Sequence, residues 1–159
     1  MSPVRPDRRR ALGVMAGSAF ALVAGRSLAG PEAEPAAAEV AARLIAQLAG
    51  ASLHRDGGVR LTLPPLADSG HSVPVTVDVD SPMTADEFVK SIHLIAPRNP
   101  RPLAASFHFS PHSGRAMITT RMRLAGEQEV VALAMRSDGT HCLARAMVVV
   151  TVSACLDGT

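Results

Sequence analysis

The sequence predicts an all-β domain, an immunoglobulin-like antiparallel β-sandwich of about seven strands with an N-terminal helix. From residue 59 onward, apolar and polar residues alternate in seven short runs that are rich in β-branched side chains. Segments carrying Pro, Gly, Asn or Asp, which favour turns, separate these runs. Short strands and turns repeated over about one hundred residues are typical of a two-sheet sandwich. The predicted strands cover residues 59–63, 73–79, 89–96, 104–109, 116–124, 129–136 and 142–152.

A helix is predicted ahead of the strands, within residues 30–52. Two prolines stand at its front and Gly50 at its end, as is common for helix boundaries. Val40, Leu44 and Leu48 recur four residues apart and form one apolar stripe. The stripe fits a helix packed on the sandwich, and a helix that binds a partner is the alternative.

Residues 1–29 have the composition of an export signal. Arg8 and Arg9 precede a weakly apolar run that is too short and too rich in Gly and Ala for a stable membrane span. Leu12 occupies the usual apolar place of a twin-arginine signal, and small residues up to Ala29 fit a cleavage site. We expect twin-arginine export to the periplasm; general secretion and an uncleaved anchor are the alternatives.

The charge of the chain argues against a nucleic-acid-binding protein. The formal net charge is +2, and much of the positive balance lies in the first ten residues. The remainder is close to neutral, with no evident basic cluster of the kind that binds phosphate backbones. With 159 residues, 47% of them hydrophobic, the chain suits one ordinary domain.

No catalytic residue, metal ligand or cofactor site is predicted. His108 and His112 have the spacing of a helical metal pair, but Pro111 and the strand-like context exclude that geometry. Asp78 and Asp80 alternate on one strand face, where we expect solvated surface and not an acid–base pair. Glycine-rich phosphate loops and nucleophile–base arrangements are also missing from the sequence pattern. The remaining histidines, which show no ligand spacing, are His54, His71, His93 and His141.

Two cysteines in an exported protein would ordinarily suggest a disulfide. A strand from Cys142 to residue 152 would span roughly 33 Å. Three further residues return only about 10 Å, whereas a disulfide needs α-carbons within roughly 7 Å. We therefore expect no bond between the two thiols of one chain. Cys142 lies on the apolar face with Val148 and Val152 and should be a buried filler, whereas Cys155 follows the strand in a polar tail and is the better candidate for chemistry.

Several stretches of the chain resemble one protein family. They are HSVPVTVDVDSPMT (71–84), VKSIHLIAPRNPRPLAASFHFSPHSG (89–114), TRMRLAGEQEVVALAMRSDG (120–139) and VVVTV before Cys155. These stretches are similar to SoxY, the sulfur-carrier subunit of the periplasmic thiosulfate-oxidation system. The resemblance implies an immunoglobulin-like domain that forms a heterodimer with a SoxZ subunit and carries sulfur intermediates on a C-terminal cysteine, without catalysis of its own. It also implies a cytochrome, SoxAX, that conjugates thiosulfate to the thiol, and a hydrolase, SoxB, that releases sulfate.

By position, Cys155 is the residue to which the carrier role transfers. The usual family arm is Gly-Gly-Cys-Gly-Gly, whereas Ser153, Ala154, Leu156 and Asp157 surround the cysteine here, closer to a divergent SoxY-related group with Ala-Ala-Cys-Ile-Glu. Side chains restrict and thicken an arm that glycine would leave slender. A non-catalytic assembly module that has lost carrier chemistry is the alternative. The predicted parts are the export signal (1–29), the helix (30–52), the sandwich (53–152) and the cysteine arm (153–159).

Overall fold

The computed structural model describes residues 33–152, which form a two-sheet β-sandwich with a helix on one face. The predicted fold class is confirmed. The elements in chain order are α1 (Ala33–Ala49), β1 (Leu53–His54), β2 (Val59–Thr62), β3 (Leu66–Ala67), β4 (Val73–Val79), β5 (Val89–Ile95), β6 (Leu103–His108), a 3-10 helix (Pro111–Ser113), β7 (Ala116–Met122), β8 (Gln128–Arg136) and β9 (Thr140–Val150).

The larger sheet has the strand order β1-β9-β8-β5-β6, and β3 pairs with the other end of β9; the smaller sheet has the order β2-β4-β7. The seven predicted strands correspond to β2 and β4 through β9, and neighbours among them pair antiparallel. The two-residue strands β1 and β3 were not predicted, and both run parallel to β9. Such short strands carry no periodicity that a sequence could reveal.

The core lies between the two sheets and follows the period of two along each strand. Strand β4 shows the pattern most clearly, because Val73, Val75, Val77 and Val79 all point inward and are buried. The inner face of the larger sheet meets them with further apolar side chains, which include Val89, Ile92, Leu94, Val130, Ala132, Ala134 and Val148.

Helix α1 covers part of the outer face of the larger sheet. Ala41 is buried and Leu44, Ile45 and Leu48 are half-buried, and they contact Ile95, Val131 and Leu143 of the sheet. The prediction of a helix packed on the sandwich is confirmed. Within residues 33–152, no helix has the length and apolar character needed to cross a membrane.

The side chains of the last strand, β9, lie on the predicted faces except at the end of the strand. Cys142 and Val148 are fully buried, as expected for the inward face. The prediction that Val152 continues this face is wrong: β9 ends at Val150, and Val152 is 54% exposed. The chain bends at residues 151 and 152, after the last ladder hydrogen bond from the Thr151 N–H to the Ala67 carbonyl.

The direction of β9 defines two ends of the sandwich. We call the end at which β9 finishes the arm pole, because the predicted cysteine arm follows there, and the opposite end the far pole. The pairing register places the starts of β4, β6 and β8 at the arm pole. Loops from both sheets therefore lie at the end of the sandwich where the chain leaves β9.

Candidate functional site at the arm pole

The predicted site residues lie outside the described part of the chain, and the structure describes the body from which the arm departs. This applies to Cys155 and its neighbours Ser153, Ala154, Leu156 and Asp157, and to the signal residues Arg8, Arg9 and Leu12.

The base of the arm is held by the segment that contains β3. The Thr151 N–H donates to the Ala67 carbonyl at 3.1 Å, and its hydroxyl donates to the Asp68 carbonyl at 2.5 Å. The Val152 carbonyl accepts from the Gly70 N–H at 2.7 Å. The chain is thus fixed up to Val152, so the α-carbon of Cys155 can lie no further than about 10 Å from that of Val152.

The same segment connects the arm base to the loop between β7 and β8. The Gly70 carbonyl accepts from the backbone N–H of Leu124 at 2.9 Å, and the Leu124 side chain is fully buried. Two consecutive hydrogen bonds therefore run from Val152 through Gly70 to Leu124. Because Arg123 precedes Leu124 directly, these hydrogen bonds link the backbone at Arg123 to the arm base.

An amide network fixes the loops of the arm pole. Asn99 accepts from the backbone N–H of Ala125 at 2.8 Å and from the side chain of the buried Gln128 at 3.1 Å, and it donates to the Arg123 carbonyl at 2.7 Å. Gln128 also accepts from the backbone N–H of Arg98 at 3.0 Å. Two of the stretches that carry the family resemblance, RNP and RLAGEQ, meet in this network.

Four exposed arginines lie at the arm pole, two in the loop between β5 and β6 and two at the end of β7 and just after it, and we call Arg98, Arg101, Arg121 and Arg123 the arginine rim. Arg98 donates to the Glu127 carbonyl at 2.6 Å, and Arg121 donates to the carbonyl and hydroxyl of Ser72 at 3.4 and 3.3 Å. The sequence analysis missed this group. Its only sequence signals are a pair spaced R-x-x-R and a pair spaced R-x-R, which the fold places at the same end of the sandwich.

An apolar patch lies beside the arm base on the outer face of the larger sheet. Leu66, Met147 and Val149 are all exposed there. Leu66 and Val149 are register partners in the β3–β9 pair, so their side chains share one face. A cavity of about 150 Å³ separates Met147 from the start of α1. Val152, the last described residue, thus lies at the same end of the sandwich as this patch and the arginine rim.

The far pole is held by ion pairs. Asp78 binds Arg60 at 2.9 Å and Arg115 at 2.8 Å, and its side chain is only 19% exposed. Asp78 is therefore less solvated than predicted, because Arg60 of β2 and Arg115, which precedes β7, cover it. Arg136 is buried and binds Glu87 at 2.5 Å.

Two histidine pairs lie toward the far pole. The rings of His54 and His141 are 5.2 Å apart, and those of His93 and His108 are 6.2 Å apart. Ser91 and Ser106 contact the two ring nitrogens of His93 at 2.9 and 2.8 Å. Burial of His93, and to a lesser extent the nearby His108, lowers the pKa of His93. Residues 33–152 contain no group of three or more His, Cys, Asp or Glu side chains placed to hold a metal ion.

Comparison with known proteins identifies the family. The family model described as "Sulfur oxidation protein SoxY" matches residues 45–155, more than half of the chain, and its match ends on Cys155. No curated protein sequence matches significantly.

Among solved structures, the sulfur carrier protein SoxY from Chlorobium limicola f thiosulfatophilum is similar, with 27% identity, a TM-score of 0.61, and coverage of 72% of this chain and 99% of that one. A superoxide reductase (neelaredoxin) from Ignicoccus hospitalis shares the fold at 17% identity and a TM-score of 0.53, covering 59% of this chain and 80% of that one. The family match, together with a similar structure that is itself named a sulfur carrier, supports the prediction of a carrier and not an enzyme. The chain belongs to the SoxY family of sulfur oxidation proteins.

Proposed function

We propose that the protein is a periplasmic carrier that holds a sulfur-containing intermediate covalently on Cys155 and presents it to partner enzymes. The observation that carries the proposal is the extent of the family match, which runs through the sandwich and ends on Cys155. The hydrogen bonds at Thr151 and Val152 support the proposal, because they fix the backbone up to three residues before the cysteine. Cys142 is fully buried, so it is a poor alternative thiol.

The proposed partners are a SoxZ-like subunit, a SoxAX-type cytochrome and a SoxB-type hydrolase. The exposed patch of Leu66, Met147 and Val149 supports a heterodimer, because contiguous apolar side chains on a surface favour protein contact. In this arrangement the SoxZ-like subunit would lie beside the arm base and leave the arm free to reach the two enzymes. Whether the cargo comes from thiosulfate depends on which of these enzymes accepts the arm.

The arm residues favour a second candidate, an assembly module of SoxY-like fold that has lost carrier chemistry. Ser153, Ala154 and Leu156 replace glycines of the usual arm, and a side chain on Cβ cannot be removed at a narrow entrance. A Cys155→Ser variant that fully restores the phenotype of a deletion strain would support this module.

The mass of the intact protein tests the carrier proposal. The protein is purified without reductant from the periplasm of cells grown on different sulfur sources, and its mass is compared with that of a Cys155→Ser variant. We expect mass increments in the parent that disappear on reduction and are missing from the variant. An unmodified Cys155 on every sulfur source would contradict the proposal, and retention in the cytoplasm would contradict the proposed export.

A further inference from the structure

We propose that His54 and His141 together bind a first-row divalent metal ion, with Cu²⁺ as the ion held most tightly. The two histidines lie toward the far pole and belong to the part of the chain that the structure describes. The metal site therefore goes beyond the proposed function, and Cys155 takes no part in it.

The fold places the two imidazole rings side by side. Strand β1 pairs with the start of β9, and His54 is the register partner of His141. Register partners share one face of a sheet on strands about 4.8 Å apart. The two ring centroids are 5.2 Å apart. Imidazole nitrogens bind Zn²⁺ at about 2.0–2.1 Å, so two rings at this spacing can share one ion of that size.

Hydrogen bonds determine which nitrogen of His141 is free. Ser52 donates its hydroxyl hydrogen to the Ala49 carbonyl at 2.6 Å, and its oxygen lies 2.9 Å from Nδ1 of His141. Because a hydroxyl has one hydrogen and a carbonyl only accepts, Nδ1 is the donor to Ser52. The neutral ring then has its lone pair on Nε2, which has no hydrogen-bond partner within residues 33–152.

This lone pair of His141 is accessible to an ion, although the residue as a whole is only 8% exposed. Within the described residues, the one fully buried side-chain nitrogen or oxygen without a hydrogen-bond partner is Nε of Arg136. Since Nε2 of His141 also has no partner, it is not fully buried. An ion can therefore reach it from solvent.

His54 has a matching arrangement with the nitrogens exchanged. Its Nε2 lies 3.1 Å from the carboxylate of Asp56, which only accepts, so Nε2 donates and the lone pair lies on Nδ1. The His54 side chain is 47% exposed, which leaves the ring room to turn toward an ion. Metal-binding histidines characteristically donate their second ring N–H to a neighbouring acceptor, and both rings do so here.

The charged groups next to the pair along the chain favour a cation. Arg55 lies 4.0 Å from Glu87 and 3.9 Å from Asp138, and the buried Arg136 also binds Glu87. Asp56 adds a third carboxylate. Two positive groups therefore stand against three negative ones.

The other histidine pair is a natural comparison on the same sheet. Ser91 and Ser106 occupy both ring nitrogens of His93, at 2.9 and 2.8 Å, so this ring has no lone pair left for an ion. Its neighbour His108, with ring centroids 6.2 Å apart, supplies the matched control.

The ligand type determines the class of ion. Imidazole nitrogens suit Cu²⁺, Ni²⁺ and Zn²⁺, and Cu²⁺ binds most tightly in this series. Two protein ligands leave the remaining coordination positions to water.

Titration with Cu²⁺ against a competing chelator at pH 7.5 tests the site. The experiment uses the full chain with Cys155→Ser, which removes the thiol of the tail as an alternative ligand. Electron paramagnetic resonance reports the bound nitrogens through their hyperfine splitting. We expect one Cu²⁺ per chain, bound by two imidazole nitrogens.

We expect His54→Gln to weaken binding at least about tenfold, since the loss of a group that merely orients a ligand already costs about that factor. His141→Gln should weaken it as much, whereas His108→Gln should leave affinity and spectrum unchanged. His54 is exposed, so its substitution should preserve the fold, which circular dichroism checks. An affinity that His54→Gln leaves unchanged, or that His108→Gln lowers equally, would overturn the inference.

Discussion

The two poles of the sandwich use arginine in opposite ways. At the far pole, Arg60, Arg115 and Arg136 bind carboxylates, which neutralises charge and ties strands together. At the arm pole, Arg98 and Arg121 bind carbonyl groups, and an amide network fixes the loops instead. The comparison indicates that the protein holds one end with ion pairs and keeps the other end charged where the arm departs.

The largest effect should come from the far pole, at Arg136. Its side chain is 4% exposed and donates to the Asp80 carbonyl at 3.0 Å and to Glu87. We expect Arg136→Ala to reduce the free energy of unfolding by about 3 kcal/mol, because it removes a buried partner and leaves a cavity.

Denaturant unfolding measures the loss at Arg136, with Arg60→Ala as the control. Arg60 is exposed, and its removal should cost less than about 1 kcal/mol. Equal losses in the two variants would mean that burial does not distinguish the two ion pairs.

The next largest loss of stability is expected in the amide network of the arm pole. We expect Asn99→Ala to cost about 2 kcal/mol, because the Ala125 N–H and the Arg123 carbonyl lose their partner. Asn99→Asp retains the acceptor oxygen and should cost less. The loss from Asn99→Ala, measured by denaturant unfolding, should be the same at 0.1 and 1 M NaCl, whereas the loss from Arg60→Ala should shrink. A strongly salt-dependent loss at Asn99 would contradict the contrast between the poles.

A smaller effect is expected from pH at His93. Its pKa is lower in the folded protein than in the unfolded chain, so the unfolded chain binds more protons as the pH falls. Stability from this group is complete above the unfolded pKa of about 6.5 and declines below it.

The free energy of unfolding at pH 7.5 and 5.5 measures this decline. We expect His93→Gln to reduce the loss between these two values and the exposed His112→Gln to leave it unchanged. An unaltered loss in His93→Gln would show that His93 does not contribute to acid sensitivity.

The parts of the fold that the sequence predicted are those with a local cause. Residues 73–79 were predicted as a strand with the bounds that β4 has, because alternation of valine with polar residues is visible within seven positions. The strands β1 and β3 exist only through pairing with β9, whose register no local pattern contains. Their absence from the prediction therefore follows from their length.

The residues of the candidate site also fall into two groups, those that sequence order reveals and those that only the fold brings together. Cys155 was identified from its place after an apolar strand and from the family resemblance, and both depend on sequence order. The ion pairs of Asp78 and the arginine rim could not be predicted, because Arg60 and Arg115, like Arg98 and Arg123, come from different elements that only the sandwich brings together. The sequence therefore predicted the thiol but not the charged groups at the two poles.

The smallest predicted effect is that of Asp157 on the alkylation rate of Cys155. Asp157 follows Cys155 by two residues, roughly 7 Å away in an extended chain, and its charge disfavours the thiolate by about 0.6 kcal/mol in water. We expect Asp157→Asn to raise the iodoacetamide rate at Cys155 near neutral pH by less than about threefold, the factor that corresponds to this energy. Asp68→Asn, which removes a carboxylate of the body, is the matched control and should change the rate less. If Asp157→Asn leaves the rate unchanged at matched salt, Asp157 does not influence the reactivity of the thiol.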